Sequence, residues 1–174
     1  KYKITKDFVL VTLHRPSNVD DKKVFSNIIS AIEELSGDAE FVFPMHPRTR
    51  KMAETFELYT RIESIPGMII TEPAGYLEFI SLMSKSKLVL TDSGGLQEET
   101  TALGIPCLTI RENTERPVTI TQGTNQLVGT NKAKIIQAGK DALKGRSKSG
   151  KIPKYWDGKT SSRIVDVLLQ SINR

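Results

Sequence analysis

The sequence predicts an α/β fold built on a doubly wound, Rossmann-like parallel sheet. Six apolar runs of strand length recur along the 174 residues, and segments of helical period separate them. Strands that are apolar throughout must be covered on both faces, and the alternating helices supply the two covers. The third sign is where the unusual polar residues stand. They cluster directly after strands, and ligands of such sheets bind beyond the carboxyl ends of the strands, where the strand order reverses.

The first strand is expected at residues 8–13 and ends at His14-Arg15-Pro16-Ser17-Asn18. Asp20 or Asp21 then caps a helix whose apolar positions Val24, Phe25, Ile28, Ile29, Ile32 and Leu35 keep helical spacing until Gly37 ends it. A second strand at 40–44 gives way to Met45-His46-Pro47, followed by a helix over 49–58. Strands at 68–71 and 88–91 lead into helices over 75–84 and 95–103, the latter through Asp92-Ser93-Gly94-Gly95. A fifth strand at 107–110 meets the polar run that starts at Arg111, and a short sixth at 126–128 precedes a helix over 132–143. Residues 144–158, rich in Lys, Gly, Ser and Pro, form an exposed connection to a last helix over 161–172.

With 38% hydrophobic and 26% charged residues, the chain suits one α/β domain with a core and falls short of two domains of ordinary size. It has no stretch of about 18 apolar residues and no basic leader before an apolar run, so a soluble, cytoplasmic protein without a membrane partner is expected. Cys107 is the single cysteine, and no Cys/His spacing resembles a zinc site, so neither an internal disulfide nor a metal is expected. A net charge of +5 favours anionic ligands. It is too small to argue for nucleic acid, and the basic residues lack the aromatic interleaving of a single-strand groove. A phosphate-bearing small molecule fits this charge better.

The strongest local signal is the run from Leu88 to Glu99. A buried strand enters a small-residue turn and then a helix, so unpaired backbone N–H groups and the positive helix end face whatever sits at the turn. Gly94 and Gly95 allow close approach of a phosphate to the backbone, and Ser93 adds a hydroxyl. The same residues also read as an ordinary helix start capped by Asp92 or Ser93. Glu98 and Glu99 lie a turn downstream, and one of them can face back over the turn to accept both hydroxyls of a ribose. Neither Gly-x-Gly-x-x-Gly nor Gly-Lys-Ser/Thr is present, against dinucleotide redox chemistry and ATP hydrolysis, and no cofactor is expected. In Arg111-Glu112-Asn113-Thr114-Glu115-Arg116-Pro117, the proline suits a first helical position. Arg116 there meets a phosphate or ligand hydroxyl, or else pairs with Glu112 or Glu115. Both histidines, His14 and His46, follow strands, and Arg15 adds a permanent cation beside His14.

Taken together, these segments resemble the non-hydrolysing UDP-N-acetylglucosamine 2-epimerases, which have the two-domain architecture of B-type glycosyltransferases. The likeness runs from Val11-Thr12-Leu13-His14-Arg15 through Phe43-Pro44-Met45-His46-Pro47 to Gly129. Its most specific parts are Leu90-Thr91-Asp92-Ser93-Gly94-Gly95-Leu96-Gln97-Glu98-Glu99, Asn113-Thr114-Glu115-Arg116-Pro117 and Gly123-Thr124-Asn125-Gln126-Leu127-Val128-Gly129. The resemblance implies that residues 1–174 are a carboxyl-terminal UDP-binding domain. Ser93, Gly94 and Gly95 would hold phosphates, Glu99 the ribose hydroxyls, and Arg116 a further contact. Ala74 would read uracil through its backbone with Phe79 packed on the ring, although Phe79 alone also reads as a helix core residue. His14 would be the one catalytic contribution, at the diphosphate, while Arg15 and His46 match residues that in some members hold a second, activating UDP-N-acetylglucosamine. Many bacterial members continue His-Arg with Arg-Glu-Asn, whereas Pro16-Ser17-Asn18 follows here.

The reaction so implied removes UDP by anti elimination to a 2-acetamidoglucal and adds it back with inversion at C2. Its acid/base carboxylates belong to an amino-terminal domain outside these residues, so the chain is expected to be inactive alone. The implied partners are UDP, UDP-N-acetylglucosamine, that other domain and a second subunit of the intact enzyme. The alternatives are the donor-binding half of a B-type glycosyltransferase and a non-catalytic UDP-sugar sensor.

Overall fold

In the computed structural model, which describes residues 2–172, the apolar runs pair side by side as one sheet. In chain order the elements are β1 (Phe8–Thr12), α1 (Pro16–Val19), α2 (Lys22–Leu35), β2 (Glu40–Pro44), α3 (Pro47–Thr55), α4 (Tyr59–Glu63), β3 (Met68–Thr71), α5 (Tyr76–Lys85), β4 (Leu88–Thr91), α6 (Gly94–Leu103), β5 (Cys107–Thr109), α7 (Pro117–Thr121), β6 (Asn125–Leu127), α8 (Lys132–Leu143) and α9 (Thr160–Ile172). The strand order is β3-β2-β1-β4-β5-β6, and every pairing is parallel. This is the doubly wound order, one half of the B-type glycosyltransferase architecture, with its reversal between β1 and β4.

The two-residue period of each strand divides the core. Val9 and Val11 of β1, Phe41 and Phe43 of β2, and Leu88 and Leu90 of β4 pack with Phe25, Ile28 and Ile32 of α2 and Ile135 of α8. Their neighbours Leu10, Val42 and Val89 point the other way, onto Leu82 and Met83 of α5, with Phe79 and Leu96 at the margin. Each fully buried Leu or Phe contributes about 1.5–3 kcal/mol, so the central strands, buried along their length, anchor everything hung on their ends. The edge strand β3 is only half-buried.

Several boundaries move. The single helix expected over 49–58 is two: α3 starts earlier, at Pro47, with the His46 ring accepting from Arg48 N at 3.1 Å, and it ends before Glu57, whose φ is +60°. That left-handed residue turns the chain, and α4 begins at Tyr59. The short helix α1, unforeseen, starts at Pro16, where the fixed φ of proline suits the first helical position. The sixth strand lies at 125–127, one residue earlier than expected. Other expected elements agree to within one residue.

Helix α9 is the exception to the burial pattern. Ile164, Val165, Leu168, Leu169 and Ile172 repeat at helical spacing, yet each is more than half exposed, so the stripe finds no cover among the described residues.

Of the two candidate caps for α2, Asp21 is the one used, accepting from Lys23 N at 2.8 Å and Val24 N at 3.0 Å, whereas Asp20 turns to Arg48. Asp21→Ala should therefore lower stability by about 1 kcal/mol in a denaturant titration. Asp20→Ala, which breaks an exposed ion pair, should cost less.

Candidate functional site

At the reversal point, the chain leaves β1 and β4 in opposite directions, and the two departing segments are bound together by one carboxylate. Asp92 is completely buried. Its Oδ2 accepts from His14 N at 3.0 Å, Arg15 N at 3.0 Å and the Asn18 side-chain amide at 3.2 Å. Its Oδ1 faces His14 Nδ1 at 2.9 Å. Burial pushes the Asp92 carboxyl up, but the hydrogen bonds from His14 and from the two backbone amides outweigh it, and the net shift is downward. For His14 the bond to Asp92 dominates, against burial and the Arg15 charge, and the net shift is upward. The side chain of Arg15 donates from Nε to Asp92 O at 2.9 Å and lies 4.0 Å from Glu115.

Neither Asp92 nor Asn18 was assigned a role from sequence, where Asp92 read as a possible helix cap. That cap is corrected here: Asp92 turns away from α6, and Ser93, at the N-cap position, makes no side-chain capping bond. The first amides of α6 therefore lack a side-chain acceptor. A Cβ added at Gly95 would meet no protein atom within 4 Å, and one at Gly94 only Glu115 Oε2 at 3.8 Å. The glycines thus leave open space before the helix end rather than filling a packing need.

The polar groups behind this turn are satisfied internally. Gln97, fully buried, accepts from Thr114 at 2.5 Å and Asn125 at 3.1 Å, and Asn125 in turn accepts from Thr109 at 2.6 Å. Arg111 holds Glu115 with two bonds, at 2.8 and 2.6 Å, so the Glu115 carboxylate is not the partner of Arg116, which within that residue donates only to the main-chain oxygen, at 3.4 Å. Nor is Glu112, which lies against Gly129 and Thr130. Arg116 instead pairs with Glu98, Nε to Oε1 at 3.0 Å. This pairing separates the two neighbouring acids. Glu98 is engaged, whereas Glu99 has no ion-pair or hydrogen-bond partner among the described residues, and burial together with Glu98 pushes its carboxyl up.

The turn opens onto a cavity of about 250 Å³ in which Ala74, Phe79, His14, His46 and Ser93 come together. Phe79 packs against the α5 side of the core, as its helix-core reading expects, and also lines this cavity. The His14 and His46 ring centroids are 5.7 Å apart. A larger cleft of about 430 Å³ lies against β5 and β6 under α8, but it gathers none of these strand-end residues. Cys107 is buried and its thiol is pushed up to about 11 by that burial, which disqualifies it as a nucleophile. Among the described residues no cluster of His, Cys, Asp or Glu suits a metal, and no helix is long and apolar enough to cross a membrane.

Comparison with known proteins shows the family and the fold. A sequence profile described as UDP-N-acetylglucosamine 2-epimerase matches residues 1–169. The chain is 44% identical over 167 residues to the UDP-N-acetylglucosamine 2-epimerase of Methanocaldococcus jannaschii, covering 95% of this chain and 45% of that protein. It is 40% identical to the UDP-2,3-diacetamido-2,3-dideoxy-D-glucuronate 2-epimerase of Pseudomonas aeruginosa, covering 92% of this chain and 44% of that one. A crystal structure of the Methanocaldococcus jannaschii enzyme with UDP-GlcNAc and UDP superimposes with a TM-score of 0.85 at 42% identity, over 96% of this chain and 46% of that one. The chain thus spans just under half the length of these relatives. An Escherichia coli heptosyltransferase with ADP shares the fold alone, at 15% identity and a TM-score of 0.56. A match along nearly all of its length means that the chain belongs to the UDP-N-acetylglucosamine 2-epimerase family.

Proposed function

We propose that this chain is the UDP-holding half of an epimerase that interconverts UDP-N-acetylglucosamine and UDP-N-acetylmannosamine by eliminating UDP and adding it back at C2. The observation that carries this reading is the uncapped amino terminus of α6, which stands at the strand reversal with open space before Gly94 and Gly95. An anion placed there meets unpaired N–H groups and the positive helix end. Ser93 adds a hydroxyl, and Glu99, without a partner of its own, accepts the ribose hydroxyls. Uracil lies in the cavity against Phe79 and the backbone of Ala74. Arg116, exposed and held by Glu98, reaches the ligand from the other side of the turn. Arg15 and His46 are left for a second, activating nucleotide sugar.

The names of the two relatives support the division of labour. They share UDP and a reaction at C2 and differ in the sugar, as expected if one half grips the constant part of the substrate. The other half supplies the acid/base carboxylates. The greater length of the relatives leaves room for such a half, and the bare apolar stripe of α9 offers it a face. The assembled enzyme is read as a cytoplasmic homodimer joined through that half.

Three measurements test this. Excess UDP should raise the thermal midpoint, at one hundred times Kd by the equivalent of about 2.7 kcal/mol, and an unchanged midpoint would count against the site. Glu99→Gln should weaken UDP binding about tenfold, because a hydrogen bond to a charged group contributes about 1.5–3 kcal/mol. Glu98→Gln should do less, and equal losses would show that the wrong carboxylate was chosen. Finally, the chain alone should neither invert C2 of UDP-N-acetylglucosamine nor exchange its proton in deuterated water, since this reading commits Glu99 to the ribose and His14 to the diphosphate and leaves no carboxylate pair for acid/base work. Deuterium at C2 at an enzyme-like rate, read by NMR, would refute the half-enzyme reading.

A further inference from the structure

We propose that Asp92 is a positioning residue for the reaction: it fixes His14 as the Nδ1–H tautomer, so that Nε2 is the atom presented to the diphosphate. This rests on the reading of the cavity as a UDP site. Asp92 cannot touch the nucleotide itself, because it is fully buried with both oxygens occupied by protein donors. It acts through the imidazole. A carboxylate accepts only, so the 2.9 Å contact to Oδ1 requires a proton on Nδ1. Nε2 has no partner among the described residues, and His14 lines the same cavity as Ser93. As UDP departs, negative charge grows on its phosphate oxygen. A protonated His14 then donates from Nε2 to that oxygen while Asp92 stabilises the ring charge. No bond to protein forms and no proton need transfer.

The charges around the ring favour this arrangement. Asp92 faces it from the end of β4, and Arg15 opposes it from beside His14 after β1. His46 approaches from the β2–α3 junction, where its Nδ1 accepts from Arg48 N and so carries no proton. Glu115, 4.0 Å from Arg15, offsets that cation from the loop after β5, and Arg111 is tied to Glu115.

Asp92→Asn is the informative change because the three donors on Oδ2 dictate its orientation. The amide oxygen must take the place of Oδ2, which puts the NH2 group against His14 Nδ1. A donor there demands an acceptor, so the ring is forced into the Nε2–H tautomer and its protonation is opposed. With only two histidines in the chain, nitrogen NMR of the imidazoles reads this directly. Wild type should show His14 protonated at Nδ1 with a titration midpoint above the ordinary 6.5. The variant should show the opposite tautomer and a lower midpoint, with His46 unchanged. An Nε2–H His14 in the wild type, or an unaltered tautomer and midpoint in the variant, would overturn the proposal. The wild-type spectrum decides even if the variant does not fold.

A second arm follows UDP affinity by calorimetry between about pH 5.5 and about 8.5. His14 is charged below its midpoint, so wild-type affinity should gain about tenfold as the pH falls through it. The variant should lack that step, while the titration of the UDP phosphate is common to both proteins. Parallel curves would overturn the role of His14 at the diphosphate. Failure of UDP to bind at any pH would instead overturn the functional reading, leaving the NMR arm to decide the tautomer.

Discussion

A single buried negative charge organises this molecule. Burying an unpaired carboxylate is prohibitive, so the structure around Asp92 must deliver donors from every side. They come from the end of β1, through the amides of His14 and Arg15, and from α1, through Asn18. Asn18 extends the link by donating to Ile110 O at 2.9 Å, beyond the end of β5. The ends of three neighbouring strands, β1, β4 and β5, are thereby held in one cluster at the place where the strand order reverses. Sheet topology makes a crevice there, and the carboxylate fixes its floor.

The same interaction explains why the start of α6 remains open. An aspartate at that point would ordinarily cap the helix. Here its oxygens are committed across the sheet, and the helix amides are left exposed to the crevice. The surrounding polar groups are satisfied in the opposite sense. Gln97 and Asn125 close a buried network with Thr109 and Thr114, and Arg111 and Glu115 close the loop on themselves. The loop thus satisfies its own acids, and Arg116 is left to pair with Glu98 of α6.

The strands were legible because burial on both faces leaves an apolar signature that needs no partner to be recognised, and the long helices because their period is local. The misplaced elements are those decided by tertiary contacts or by single dihedrals. Nothing in Phe56-Glu57-Leu58 announces that Glu57 adopts a positive φ and splits a helix in two. Asp92 was visible as a residue but not as a hub, since its partners lie 74 to 78 positions away and sequence proximity offered only the cap. For Arg116 the sequence offered, beside a ligand contact, only the acids of its own loop as partners, whereas Glu98 on a different element is the one it pairs with. Gly129 belonged to a recognised motif, and only the structure supplies its reason. It has a φ of +63°, and a Cβ there would meet Glu112 Oε1 at 2.2 Å.

The division between buried and bare surfaces bears on how such a domain works. The central strands give it a core of its own, with layers of side chains on both faces of the sheet, so the crevice floor does not depend on another domain for its shape. The apolar stripe of α9 is a different matter, because a face of that kind is stable in water only when something covers it. On the proposed reading, an uncapped helix end over a fixed floor and an uncovered apolar helix would make this domain one jaw of a cleft, rigid where it would grip the invariant part of a substrate. In that arrangement an anion would be held by backbone amides and a helix end, which are indifferent to the sugar, and discrimination between sugars would fall to side chains from elsewhere in the enzyme.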